Sequence, residues 1–127
     1  MPHPRFAGTH VCLVERLPAK VLPAVVGAIA RTRRLGIVVP NASQIVIAEQ
    51  RWITEDFDVR VANASPFRHD EIAPAGRMMA DPSLEMIVLD CMGHDRTYRE
   101  EFARLTGRPV VLAQSLVARI AGELVSD

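Results

Sequence analysis

The chain has 127 residues, 49% of them apolar, and its 15 basic side chains are matched by 15 acidic ones. That length and apolar content are enough to bury a core in one domain, which argues against disorder, and the balanced charge excludes a general pull toward nucleic acid or anionic lipid. Two cysteines are too few for a disulfide framework and no apolar stretch reaches bilayer length, so the expectation is a cytoplasmic protein with reduced thiols that engages neither nucleic acid nor membrane.

Residues 1–10, MPHPRFAGTH, show no periodicity and no apolar signal-peptide segment, and read as a flexible tail or remnant. Residues 11–127 read as a single α/β domain. VCLVE (11–15) is a short strand with Cys12 in its core. LPAKVLPAVVGAIARTRR (17–34) has Val21, Leu22, Val25, Val26 and Ile29 at helical spacing, and its Arg31-Thr32-Arg33-Arg34 end reads as a solvated helix C-terminus that complements the macrodipole. GIVVP (36–40) is short, apolar and β-branched, as in a strand buried on both faces. NASQIVIAEQRWIT (41–54) is a helix with Ile45, Ala48 and Trp52 inward and Asn41 or Ser43 as its cap.

DVRVA (58–62) is the next strand and runs into the turn NASPF. HDEIAPAGRMMA (69–80) is a weak helix interrupted by Pro74 and Gly76, and DPS (81–83) is a turn. EMIVLD (85–90) is the strongest strand. DRTYREEFARLTG (95–107) is an amphipathic helix with Asp95 as N-cap, Tyr98, Phe102 and Leu105 inward, and Gly107 just past its end. PVVLA (109–113) is the last strand and SLVARIAGELV (115–125) the last helix, capped by Ser115. Strands alternating with amphipathic helices predict a three-layer α/β/α domain with a mainly parallel sheet, Rossmann-like or flavodoxin-like.

Ligands of such sheets bind beyond the carboxyl ends of the strands. That edge comprises Pro40 to Ser43, Asn63 to Pro66, Asp90 to Asp95, and Gln114-Ser115. Cys91 stands there shortly before a helix, where a thiol can serve as nucleophile or general base through its thiolate. The competing reading is a small buried core residue. Asp90 would oppose the thiolate if its charge faced the sulfur. Cys91-x-x-His94 is half of a metal pattern without a second pair, so no metal is expected, and no cofactor. His94 reads as a loop or capping residue that could touch a ligand. Nucleotide-binding and serine-hydrolase motifs are missing.

Three blocks, LGIVVPNASQIVIAEQRW, MIVLDCMGHDRTYREEF and RPVVLAQSLVARIAGELV, resemble the AroM family in order and spacing, and VCLVERLPAKVLPAVV resembles the segment before them. AroM proteins are similar to the aspartate/glutamate/hydantoin racemase superfamily, in which two pseudo-symmetric α/β domains enclose the active site. The resemblance implies the C-terminal half of such a protein, with Cys91 as the cysteine acid/base of that half. It further implies a small carboxylate held by Asn41 and Ser43, which the backbone of Cys91, Met92 and Gly93 would help orient; Ser65, His94 and Gln114, in the other loops of that edge, are the further candidate contacts. Met92 departs from the small hydroxyl residue found after the cysteine in many racemases. A missing N-terminal domain, or a homodimer that replaces it and faces two Cys91 residues across one cleft, follows from the half-length match. The reaction implied is racemisation, isomerisation or decarboxylation beside a carbonyl. The alternative is a non-catalytic domain, truncated or retained for small-molecule binding or protein interaction.

Overall fold

Leu35 to Val39 carry no polar side chain, so they are stable only in a strand covered on both faces. They lie in β1 (Arg34–Val39), where every residue after Arg34 is buried. In a computed structural model, the residues described are Pro23, Val26, Gly27, 30–91, 93–113, Ser115, Arg119 and Gly122. The expected strand at 11–15, with Cys12, lies outside them, as do most of the first helix and most of the last.

β1 is flanked on one side by β2 (Asp58–Asn63) and on the other by β3 (Met86–Leu89), which in turn pairs with β4 (Val110–Leu112). All three pairings are parallel, and the order is β2-β1-β3-β4. The chain leaves β1 toward β2 and then crosses back to β3, so its direction of winding reverses between β1 and β3. The alternation of side chains splits the core into two halves. Leu35, Ile37, Val39, Met86 and Val88 pack with Ala48, Trp52 and Phe57 on one face. Val38, Ile87 and Leu89 pack with Ile72, Ala75, Met79, Tyr98 and Phe102 on the other. The domain is therefore a three-layer α/β fold with a parallel sheet at its centre.

The helix expected to start at Asn41 opens instead as a 3-10 turn (Ala42–Gln44), capped by the Asn41 side chain on the Ser43 amide, and continues as α1 (Ile45–Thr54). A 3-10 turn (His69–Glu71) likewise leads into α2 (Ile72–Met79). Pro74 and Gly76 do not interrupt α2. Pro74 lies in its first turn, where a backbone N–H would have no i−4 partner within the helix. At Gly76 a Cβ would stand 2.7 Å from the Leu105 side chain, so the glycine admits the close contact of α2 with α3 (Arg96–Thr106). α3 follows expectation at both ends: Asp95 accepts a hydrogen bond from the Tyr98 amide, and Gly107 is left-handed with φ 66°.

The arginine cluster is not a solvated helix end. The first helix ends before Arg31, because the Arg31 and Thr32 amides donate to the Glu85 carboxylate. Arg33 turns to φ 62°, lies 4.1 Å over the Phe57 ring and donates to the carbonyls of Glu55 and Asp56. Arg34 already belongs to β1 and pairs with Asp58 at 2.6 Å. Each of these arginines closes the amino-terminal edge of the sheet, opposite the site edge.

Candidate functional site

β1 and β3 end side by side, and the Asp90 amide extends their ladder by donating to the Val38 carbonyl at 2.8 Å. The next residue, Cys91, is partly buried and carries a free thiol. The Gly93 backbone N–H points at its sulfur, with N to Sγ at 3.3 Å. The 91–95 loop can make this turn because it leans on the β2 loop: a Cβ at position 93 would sit 2.9 Å from Pro66.

Cys91 and Pro40 form the ridge between two open clefts. The first, about 660 Å³, runs over the β1, β2 and β3 loops and is bounded by Asn41, Asn63, Ser65, Phe67, Glu71 and Gly93. Its polar groups are largely bonded to each other. The Asn41 carboxamide oxygen accepts from the Ser43 amide at 3.1 Å and from the Ser43 hydroxyl. The Ser65 amide donates to Glu71 at 2.8 Å, its carbonyl accepts from the Tyr98 hydroxyl at 2.7 Å, and its hydroxyl accepts from the Phe67 amide at 3.1 Å.

The second cleft, about 410 Å³, lies on the α1 side of Cys91 and is lined by Val39, Gln44, Ile47, Ala48, Arg51 and Asp90. Gln44, Ile47, Ala48 and Arg51 follow the i, i+3, i+4, i+7 pattern of one helix face. The Asp90 side chain keeps only 8% of its surface exposed, with Arg51 at 3.8 Å and the Trp52 indole nitrogen at 3.4 Å. Burial pushes its carboxyl above the ordinary carboxylate range, against the pull of Arg51, the Trp52 N–H and His94.

Of the residues picked from sequence, Cys91, Asn41, Ser65 and Gly93 gather around the first cleft. Ser43 is exposed, supports Asn41 and lines neither cleft. His94 lies beneath the edge, with no exposed surface. Its Nε2 stands 2.7 Å from the Ala64 carbonyl, and since a carbonyl only accepts, Nε2 carries the hydrogen. Nδ1 has no hydrogen-bond partner among the described residues. The ring stacks on Tyr98 at 5.2 Å between centroids, and burial pushes the imidazole below its ordinary value. Met92 and Gln114 lie outside the described residues. No three of His, Cys, Asp and Glu lie together as a metal cluster among the described residues, and no helix there is long and apolar enough to cross a membrane.

Reading the sequence alone missed Glu71 and Phe67 in the first cleft and Arg51 in the second. Arg51 had a signal: it ends the helical stripe that begins at Gln44. Asp90 was noted on the strand-end edge and for its effect on the thiol, not as a partner of Arg51, and Trp52 only as core, though its N–H faces a carboxylate.

Fold and site together define a parallel α/β domain with a cysteine at the point where its winding reverses. The particular family follows from a family model described as AroM protein, which matches residues 5–125. The chain belongs to the AroM family. No curated protein matches it, and no solved structure does.

Proposed function

We propose that this domain is a cofactor-independent, isomerase-like enzyme, with Cys91 exchanging a proton at the carbon beside the carboxylate of a small acid. The observation that carries this reading is the Cys91 sulfur itself: partly exposed, set where two clefts meet, and faced by the Gly93 N–H at 3.3 Å. The thiolate takes the α-proton and becomes a thiol. The electron pair of the broken C–H bond passes to the carboxyl group as an enolate. The same thiol returns the proton, or protonates the carbanion left when carbon dioxide departs. Stabilising the enolate needs fixed donors in a site poor in water. In the first cleft Asn41 is oriented for that role, because its oxygen is occupied by Ser43 and its Nδ2 donors have no partner among the described residues.

Inversion at the α-carbon needs a second proton donor on the opposite face. A second copy of the chain facing the cleft mouth would bring a second Cys91. The Phe67 ring at the rim, 90% exposed, supports an apolar contact there. A stable monomer in sedimentation at micromolar concentration would remove that arrangement and leave same-face exchange.

The test is hydrogen–deuterium exchange in heavy water, followed by proton NMR on a panel of small dicarboxylic acids and hydantoins. Loss of an α-proton signal that slows at least roughly a hundredfold in Cys91→Ser, the scale of a missing general base, is the expected result. Equal rates in the two proteins would sink the reading. A ligand-binding domain without chemistry would use the same cleft, and it would show as saturable binding of a panel member with no exchange.

A further inference from the structure

The second cleft holds charge that the thiol chemistry does not use. The Asp90 side chain is more than nine-tenths buried, and among the described residues its polar neighbours stand off at 3.4 and 3.8 Å. A buried carboxylate normally collects close donors. Here the guanidinium that could supply two of them stops short, with 38% of its side chain exposed to the cleft.

We propose that the second cleft is an anion site for a small carboxylate, with Arg51 as its cation and Asp90 as the group Arg51 releases on binding. Arg–carboxylate pairing is bidentate when both partners are free to align, and Arg51 sits at the cleft end of a helix face otherwise lined by Gln44, Ile47 and Ala48. Once Arg51 turns to the ligand, Asp90 is buried without its counter-charge and takes up a proton. Its carboxyl is already shifted upward by burial, which favours that uptake. The groups facing it are Arg51 and the Trp52 N–H from α1, and His94 from the β3 loop, with Cys91 in the same cleft. Anion binding is therefore linked to pH and strengthens as the solution becomes more acidic.

Trp52 is the chain's single tryptophan, and its indole N–H faces Asp90, so intrinsic fluorescence reads this site directly. Oxalate is the probe, titrated between about pH 6 and about pH 8, well above the ordinary carboxyl range, against sodium chloride at matched ionic strength. The expected result is a saturable change in Trp52 emission, tightening toward the acid end. Arg51→Gln, at a half-exposed position, should weaken binding at least tenfold. Asp90→Asn, an isosteric change, should bind as tightly at the alkaline end as at the acid end. An oxalate response no greater than that of chloride, or one unchanged by Arg51→Gln, overturns the site. A pH dependence that survives Asp90→Asn overturns the role of Asp90. Binding is read without turnover, so inert thiol chemistry would leave this test standing.

Discussion

The two clefts that meet at Cys91 are built by different means. In the first, loops hold one another: Asn41 holds Ser43, Glu71 holds the Ser65 amide, and Tyr98 and Phe67 close on Ser65. In the second, a helix face meets a strand end, and the charged groups approach without closing. Polar groups that are mutually satisfied fix a shape. Groups left short of partners in a buried place are the ones with binding energy still to gain. In the proposed scheme the loop cleft positions the thiol and Asn41 for the substrate, and the helix-lined cleft responds to an anion and to pH.

The largest expected effect falls on the loop cleft. His94 fills space beneath it, bonds Ala64 and stacks on Tyr98. His94→Ala removes that volume and leaves a buried carbonyl unpaired, at a cost of about 3 kcal/mol. Thermal unfolding should show this as a clear fall in Tm, while Trp52 emission from the folded protein, which belongs to the other cleft, should stay nearly constant. A shift in that emission comparable to that of a site ligand would mean the two clefts are one unit.

Gly93→Ala comes next. The new methyl group would lie 2.9 Å from two carbons of Pro66, and relieving such overpacking costs about 1–3 kcal/mol. The 91–95 loop must move away from the β2 loop, carrying the amide that faces the sulfur. Alkylation of Cys91 by iodoacetamide, read by peptide mass, should slow severalfold. An unchanged rate would separate the Gly93 contact from thiol reactivity. Asn41→Ala should cost less, about 1 kcal/mol, the usual value of a helix N-cap, with a similarly small loss of Tm.

How far the sequence was legible follows the range of the interactions concerned. β1 and β3 could be read because burial on both faces leaves an unbroken apolar run. Asp95 and Gly107 could be read because caps act within one turn of the chain. Gly76 could not, since its meaning lies in Leu105, on another helix. Cys91 and Asn41 were found because strand ends in a parallel sheet share one edge. Arg51 and Asp90 are 39 positions apart, and only the order β2-β1-β3-β4, which sets the ends of β1 and β3 side by side, brings them together. The burial of His94 was hidden for the same reason, as its partner Ala64 belongs to the opposite loop.

The smallest effect is the one that sets the two clefts directly against each other, through pH. Burial lowers the His94 value, so the folded state disfavours its proton. That contribution to stability is complete above the ordinary imidazole range and is lost as the pH falls through it. Burial raises the Asp90 value, so the folded state favours its proton. Its contribution is complete at low pH and is lost as the pH rises from the ordinary carboxylate range through the raised folded value. The two slopes have opposite signs, and the pH dependence of the native protein contains their sum. Asp90→Asn removes one of them. Its stability in urea should be at or above that of the native protein near neutral pH and should fall more steeply as the solution is acidified. A native protein that already shows the steep acid slope, with no change in Asp90→Asn, would mean that Arg51 and the Trp52 N–H hold Asp90 as an ordinary ionised carboxylate, and the contrast between a satisfied cleft and an unsatisfied one would not survive.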